Sequence, residues 1–219
     1  MPRYFIHEDV IYGWSGSWTP PEKDLIEWAY SFCEPGKRFV DVGAHVGTWT
    51  LGFAEQGREV VAFEAQRKTF YRLCYGIADN GLEHRVIAHH TAIGARAGEI
   101  ELRIIGRDGG QTSTVALSTH EVPSSVEIVP VRTLDSYGLG DVGLIKIDVE
   151  GAEIDVLRGA RETLERNGYP KIFFESWVPH RMPEAPRLRE ELFLFLEKEL
   201  GYRVVPLNGN AEMFLAERA

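Results

Sequence analysis

The sequence predicts an α/β fold in which helices cover both faces of a mostly parallel β-sheet. Apolar segments of strand length alternate with segments of helical spacing, which is typical of repeated strand–helix–strand units. The strand-like segments are apolar along most of their length, as expected for parallel strands buried on both faces. The chain has 219 residues, enough for one well-buried domain and short for two. We therefore expect residues 1–219 to form a single domain, with residues 1–35 as an N-terminal lid and helix region.

Three strands and two connecting helices are predicted in the first half of the chain. A helix at residues 22–33, with prolines just before it, precedes them. The strands and helices then alternate, at residues 39–43, 48–56, 58–65, 68–81 and 85–94 in chain order. Because parallel strands are joined by right-handed crossovers, this order predicts a doubly wound sheet.

The middle of the chain predicts an insertion into this pattern. Residues 98–105 alternate between polar and apolar side chains like an antiparallel strand, and residues 111–117 offer a return strand. We expect an inserted β-hairpin between the third and fourth parallel strands, with another strand-like segment at residues 126–134.

The last third of the chain returns to the parallel sheet. Two strands and two helices are predicted, at residues 143–151, 152–167, 169–177 and 187–201. Residues 202–217 predict a C-terminal hairpin around the turn "LNGN", which makes the last strand antiparallel.

Composition and charge exclude several classes of protein. The formal net charge of −9 argues against a general nucleic-acid binder, which needs a basic surface. The sequence shows neither an apolar run long enough to span a membrane nor a signal peptide. Cys33 and Cys74 provide no disulfide framework or metal-binding spacing, so both are interpreted as small core residues. These features predict a cytoplasmic protein.

The first candidate binding feature is the junction "FVDVGAHVG", where a buried strand meets a helix. Gly43 and Gly47 allow a ligand to approach the backbone, and the helix start offers free N–H groups. Ala44 and His45 interrupt the Gly-x-Gly-x-x-Gly pattern of dinucleotide sites. Asp41 instead suits a ligand that carries a cationic group, such as an amino acid.

The second candidate feature is Glu64, at the end of the second strand. It lies 17 residues beyond Gly47, near the spacing at which an acid accepts hydrogen bonds from ribose hydroxyls. The alternative is an exposed glutamate at a strand end with no ligand role.

The third candidate feature is the segment "KIDVEGAE". Alternation along a strand places Lys146, Asp148 and Glu150 on one face. Three charges on a buried strand are costly unless they are paired or functional. A purely structural Lys–Asp pair remains the alternative.

Four segments resemble the FkbM family of S-adenosylmethionine-dependent methyltransferases. They are "FVDVGAHVGTWTL", "VVAFEA", "TAIG" and "IKIDVEGAEIDVLRGA", in order within residues 22–176. The resemblance implies the Rossmann-like, seven-stranded class I methyltransferase fold. It also implies S-adenosylmethionine as cofactor and O-methylation of a hydroxyl on a sugar, glycan or natural product. His45 departs from the family, which commonly has asparagine there.

The resemblance and the spacing together assign roles to two groups of residues, catalytic and cofactor-binding. Asp148 is the expected base, with Glu150 orienting the acceptor and Lys146 keeping Asp148 ionised; alternatively, Asp148 and Glu150 bind a divalent cation. The expected cofactor-binding residues are Asp41, Gly43, Ala44, His45, Gly47, Thr50, Glu64, Ala65, Thr91, Ala92, Ile93 and Asp148.

The acceptor is expected to be a small molecule or glycan bound near the same rim. Glu175, Trp177 and His180 are candidate substrate-binding residues because they follow the fifth strand. Trp14 and Trp18 either stack on a sugar ring as part of a lid or plug the sheet. The sequence does not identify the acceptor or the oligomeric state.

Two other functions remain open at this point. A nicotinamide-dependent oxidoreductase shares the fold, although the interrupted glycine pattern argues against it. A non-catalytic S-adenosylmethionine-binding module would have no reason to keep the buried acids.

Overall fold

The computed structural model describes residues 3–7, 10–13, 23–105, 111–113, 125–177, 185–207 and 212–218. Within these ranges no helix has the length and apolar character required to cross a membrane. Trp14, Trp18 and His180 lie outside the described residues, so their predicted roles stay predictions.

The described elements follow the predicted alternation. In chain order they are β1 Arg3–His7, β2 Val10–Gly13, α1 Lys23–Tyr30, β3 Arg38–Val42, α2 Thr48–Glu55, β4 Val60–Glu64, α3 Arg67–Asp79, β5 Val86–His90, β6 Ala92–Ile93, β7 Gly98–Ile105, β8 Gln111–Ser113, β9 Ser125–Arg132, a 3-10 helix Leu134–Tyr137, β10 Val142–Ile147, α4 Glu153–Arg158, α5 Arg161–Arg166, β11 Lys171–Glu175, α6 Ala185–Leu194, a π-helix Phe195–Glu199, β12 Arg203–Pro206 and β13 Met213–Glu217.

The main sheet has seven strands in the order β12-β13-β11-β10-β3-β4-β5. Strands β10, β11, β3, β4 and β5 pair in parallel, whereas β13 runs antiparallel to both of its neighbours. This arrangement confirms the predicted seven-stranded sheet and its antiparallel last strand. The strand order winds outward from β3 in both directions, through β4 on one side and β10 on the other. This switch in winding direction opens a crevice at the carboxyl ends of the parallel strands.

The predicted insertion belongs to a second sheet of four strands, in the order β6-β9-β7-β8. Strand β7 pairs with β9 over seven residue pairs, from Gly98 to Ile104, and with β8 over only three. The third predicted strand divides at Thr91, whose Oγ1 donates to the Pro130 carbonyl of β9 at 2.8 Å. This bond draws the chain from the main sheet into the second sheet.

The helix predicted from Ala152 to Asn167 is divided at Gly159 into α4 and α5. The Gly159 carbonyl accepts the backbone N–H of Asp135 at 3.0 Å instead of a bond from within a continuous helix. The Asp135 carboxylate in turn accepts the N–H of Thr163 at 2.7 Å and so caps α5. A contact distant in sequence therefore ends the first helix and begins the second.

Two hydrophobic clusters cover the two faces of the main sheet. Successive β3 residues alternate between them: Val40 and Val42 belong to one cluster, whereas Phe39 belongs to the other, with the α2 aromatics Trp49 and Phe53. The two cysteines are free; Cys33 is buried as predicted, but Cys74 is only partly buried, so its interpretation as a core residue holds in part.

Candidate functional site

A cavity of about 540 Å³ lies between the carboxyl ends of the central parallel strands and the second sheet. This volume is within the range of small-molecule and cofactor sites. One wall consists of residues that follow β3, β4 and β10, and the opposite wall of residues 91–100, Leu102 and Val131. The crevice expected from the strand order is therefore closed over by the inserted sheet.

Eight predicted cofactor residues line the cavity together with Asp148, and three do not. The lining residues are Gly43, Ala44, His45, Glu64, Ala65, Thr91 and Ala92, with Ile93 beside them. Asp41, Gly47 and Thr50 lie behind the wall. Gly47 serves packing, because a Cβ there would lie 2.7 Å from Leu73 Cδ1.

Gly43 shapes the wall because its position excludes every side chain. Its φ is +82°, and a Cβ there would lie 1.8 Å from the Asp148 carbonyl oxygen. Its own N–H donates to the Phe63 carbonyl at 3.0 Å, which ties the loop after β3 to β4. The glycine therefore allows the loops after β3 and β10 to contact each other at the cavity wall.

Asp41 belongs to a buried polar network behind the cavity. Its Oδ2 accepts a hydrogen bond from Thr50 Oγ1 at 2.6 Å, and its Oδ1 lies 3.6 Å from Lys146 Nζ. Lys146 and Asp41 are register partners on β10 and β3, so their side chains share a face of the sheet. Burial raises the pKa of Asp41, although Lys146 and Thr50 oppose that rise. Asp41 does not line the cavity, and it contacts Thr50 and Lys146 where the sequence predicted a contact with the ligand.

Lys146 connects both halves of the site. Its ammonium donates to the Gly43 carbonyl at 2.9 Å and lies 3.1 Å from Asp148 Oδ2. The residue is 4% exposed, so these partners replace most of its hydration. The predicted Lys146–Asp148 pair is therefore present, but it also holds the glycine loop.

Glu64 faces the cavity and is held by backbone hydrogen bonds. Its Oε2 accepts the N–H of His45 at 2.8 Å, and its Oε1 accepts the N–H of Gln66 at 2.8 Å. Burial raises the pKa of Glu64 to about 7, against the lowering effect of these two bonds. His45 has a φ of 52°, a left-handed conformation that places its N–H toward the carboxylate. Each carboxylate oxygen keeps a lone pair for a donor in the cavity.

Asp148 is the first residue after β10 and is fixed by its backbone and side chain. Its N–H donates to the Val42 carbonyl at 3.0 Å. Burial acts to raise the pKa of Asp148, but the Lys146 ammonium and hydrogen bonds from Lys146 and Glu175 outweigh burial and hold that pKa below its usual value. Asp148 is therefore an ionised carboxylate on the cavity wall.

The loop after Asp148 is held by Glu153, a role that the sequence did not indicate. Glu153 Oε1 accepts the N–H groups of Val149 at 3.3 Å and Gly151 at 3.0 Å. Burial raises the pKa of Glu153 to about 7 despite these bonds. Glu150 between them adopts a left-handed φ of 57° and lines the cavity. The first turn of α4 therefore sets the conformation that presents Glu150.

Three carboxylates converge on this side of the cavity. Oxygen atoms of Asp148, Glu150 and Glu175 all lie within 4.8 Å of one another. Oxygen ligands at this spacing suit a hard cation.

Glu175 lies near Asp148, and Trp177 contacts Glu175. Trp177 Nε1 donates to Glu175 Oε2 at 3.1 Å, and Trp177 packs against Ala185 and Leu188. Neither residue lines the main cavity. Their predicted contact with an acceptor stays a prediction.

The second sheet contributes wall residues that the sequence prediction missed. Ile100 and Leu102 of β7 face the cavity together with Val131 of β9, and Arg96 and Glu99 also line it. The alternation in "GEIELRII" was the available signal, since it places Ile100 and Leu102 on one face. It did not indicate which surface that face would cover.

The mostly parallel seven-stranded sheet is the fold of class I methyltransferases. The profile of the Methyltransferase FkbM domain matches residues 41–204, well over half of the chain. The chain therefore belongs to the FkbM methyltransferase family. A search of curated proteins gave no match.

Solved structures share the fold at low sequence identity. Methyltransferase FkbM from Methylobacillus flagellatus KT is similar with a TM-score of 0.55 and 17% identity, over 87% of this chain and 50% of that chain. The present chain thus spans about half the length of that relative.

Two further structures are similar over most of both chains. A proposed methyltransferase from Streptococcus mutans, in complex with SAH (S-adenosylhomocysteine), has a TM-score of 0.55 and 11% identity over 91% of this chain and 97% of that chain. A proposed caffeoyl-CoA O-methyltransferase from Staphylococcus aureus has a TM-score of 0.58 and 12% identity over 93% and 86%. At these identities the likeness extends to the fold alone.

Proposed function

We propose that this chain transfers a methyl group from S-adenosylmethionine to a hydroxyl oxygen of a sugar, glycan or related small molecule. The observation that carries the proposal is a single cavity that joins two acids in different states. Glu64 is an acceptor for ligand hydroxyls on one side, and Asp148 is an ionised carboxylate on the other.

The cavity walls fit an adenosyl cofactor. Gly43, whose position admits no Cβ, keeps the loops after β3 and β10 packed together at the cavity wall. Glu64 would accept hydrogen bonds from the ribose hydroxyls, and Ile93 with Ala92 would contact the adenine. When bound, S-adenosylmethionine supplies an electrophilic methyl group. The complex of a similar fold with SAH supports this choice of cofactor.

Asp148 is suited to act as the base for an alcohol acceptor. Its low pKa makes it a weak base toward a resting hydroxyl, but that hydroxyl becomes strongly acidic as its oxygen forms the bond to carbon. A weak, permanently ionised base therefore suffices if it is well positioned. In the balanced step, the acceptor oxygen gains the methyl carbon, the sulfur keeps the electron pair of the broken bond, and Asp148 takes the proton.

The carboxylates favour an acceptor with more than one hydroxyl. Glu150 and Asp148 both line the cavity and can accept hydrogen bonds from neighbouring hydroxyls, as a sugar ring provides. The sugar preference also follows from the family resemblance of the sequence.

Replacing Asp148 with asparagine tests the proposal. Asp148→Asn preserves the shape but removes the proton acceptor, so we expect SAH formation to fall about 10²–10⁴-fold with cofactor affinity retained. Wild-type turnover across a panel of sugars and alcohols would refute the role of Asp148 as base. Thermal shifts with S-adenosylmethionine and NADH separate the methyltransferase from an oxidoreductase, and EDTA in the same assay tests the cation alternative.

A further inference from the structure

His90 binds the loop that follows β4, at the edge of the cavity. It is the last residue of β5 and the register partner of Glu64 on β4. Its Nε2 lies 3.0 Å from the Ala65 carbonyl oxygen, and its ring stacks on Phe70 of α3 with the ring centroids 5.1 Å apart. A carbonyl oxygen can only accept a hydrogen bond, so the imidazole Nε2 carries a hydrogen in this contact and donates it.

The bound carbonyl belongs to the same peptide group that holds Glu64. The N–H of the peptide that joins Ala65 to Gln66 (the 65–66 peptide) donates to Glu64 Oε1 at 2.8 Å. This peptide is planar and trans, so its C=O and N–H point to opposite sides. A hydrogen bond that fixes the C=O therefore also fixes the direction of the N–H.

The rest of Glu64 is held independently of this peptide. Its Oε2 accepts the N–H of His45, from the loop after β3, at 2.8 Å. Its carbonyl accepts the N–H of Thr91 at 3.1 Å, which holds the main chain. Loss of the His90 bond should therefore loosen Oε1 and leave Oε2 and the main chain of Glu64 in place.

We propose that His90 is a positioning residue that orients the Glu64 carboxylate through the 65–66 peptide. His90 holds the carbonyl of this peptide, and the N–H of the peptide directs Glu64 Oε1 toward the ribose hydroxyls of the cofactor. His90 is not among the residues that line the cavity, so it acts without touching the cofactor. The inference rests on the proposed function, since it assumes that Glu64 binds the ribose.

The alternative role of His90 is packing between β5 and α3, through the stack on Phe70. Two substitutions separate packing from hydrogen bonding. His90→Phe keeps an aromatic ring for the stack and removes the donor. His90→Gln removes the ring and keeps a side-chain N–H at nearly the same distance from the main chain as the imidazole Nε2.

Adenosine and 2′,3′-dideoxyadenosine measure what Glu64 contributes, because they differ only in the two ribose hydroxyls. Dissociation constants for both are measured by ligand-observed NMR with the full chain. The wild-type protein should bind adenosine at least about tenfold more tightly, as expected for hydrogen bonds to a charged acceptor. In His90→Phe this preference should fall by about 2- to 12-fold, the effect of one hydrogen bond, with the affinity for dideoxyadenosine unchanged. His90→Gln should keep most of the preference.

The Gln66 amide reports on the same hydrogen bond without any ligand. Its ¹H chemical shift should move upfield in His90→Phe, because the bond to Glu64 weakens, and should stay near the wild-type value in His90→Gln. His84→Phe is the matched control, because His84 is exposed in the turn before β5 and should affect neither measurement. In a Glu64→Ala background, His90→Phe should have no further effect on the adenosine preference.

An unchanged adenosine preference in His90→Phe, or an equal loss of affinity for both nucleosides, would assign His90 to packing and overturn the positioning role. If His90→Phe does not fold, His90→Leu repeats the comparison. A wild-type protein that does not distinguish the two nucleosides would overturn the ribose contact of Glu64 and, with it, the role of His90 in cofactor binding. A preference for adenosine that depends on His90, without methyl transfer, supports this inference and contradicts the methyl-transfer proposal.

Discussion

Removal of the Lys146 ammonium is the most direct test of how the site is held together. Lys146→Met preserves most of the side-chain volume and deletes the charge. Asp41, which is fully buried, then keeps only the Thr50 hydroxyl as a polar side-chain partner among the described residues. The Gly43 carbonyl and Asp148 also lose their shared donor.

The expected cost follows from the burial of Asp41. Breaking one partner out of a buried ion pair costs about 3–5 kcal/mol, because the remaining charge is uncompensated. For a chain of this size that corresponds to a melting temperature lower by about 6–20 °C. Asp41→Asn combined with Lys146→Met removes the orphaned charge, so we expect the double variant to recover part of the loss.

The free energy of unfolding, measured by urea denaturation at several pH values, gives the assay. The pKa of Asp41 is already raised in the folded protein, and loss of Lys146 raises it further. The folded state then binds a proton more tightly than the unfolded state, so the destabilisation grows as pH rises above the unfolded value. We expect a larger loss at pH 8 than at pH 5.

Lys37→Met is the matched control for this experiment. Lys37 pairs with Asp141 at 3.4 Å, but both side chains are well exposed, so the loss should be at most about 1 kcal/mol. The reasoning fails if Lys146→Met costs no more than Lys37→Met, or if its cost decreases as pH rises.

Three further expectations concern the cavity walls. Gly43→Ala should abolish SAH binding, measured by calorimetry, because the new Cβ meets the Asp148 carbonyl. Gly57→Ala is the control: Gly57 has a φ of +96° and no atom within 4 Å of a Cβ, so the substitution should lower the free energy of unfolding by only about 1–2 kcal/mol. SAH affinity should fall as pH is lowered from 8 to 6, by up to about tenfold per pH unit, because Glu64, with a pKa of about 7, loses acceptor strength when it is protonated. Glu64→Gln should remove most of this pH dependence. Glu153→Leu should lower kcat by about tenfold or more, because it releases the loop after β10. Glu153→Gln keeps an acceptor oxygen and should retain most of the wild-type kcat. Equal kcat values for the two variants would exclude this role of Glu153.

The central sheet could be predicted because its strands carry their own signal. Each is a short apolar segment bounded by turns, and burial on both faces leaves little ambiguity. Strand β6 has two residues and β8 three, too few for any periodic pattern. Their sheet depends on pairing between residues distant in sequence, such as Ala92 with Val131, which no local window contains.

The candidate site shows the same division between local and distant information. The position of Glu64 at a strand end was visible in the sequence, and the structure places it on the cavity wall. Asp41 lies on the opposite side of that wall because alternation along β3 puts it on the face of Phe39, under α2. The sequence showed the acid but could not show which face the ligand would use.

Lys146 explains why the two most informative sequence segments depend on each other. A lysine near the carboxyl end of a buried parallel strand is costly, and local propensity gives no reason for it. Its ammonium holds the Gly43 carbonyl, Asp41 and Asp148 together, so one charge supports the glycine loop and the ionised carboxylate at once. Arginine at position 146 would not be equivalent, because its planar guanidinium cannot direct donors to three partners around a point. The junction "FVDVGAHVG" and the segment "KIDVEGAE" therefore form one structural unit, and a substitution in either segment should disturb the geometry of both.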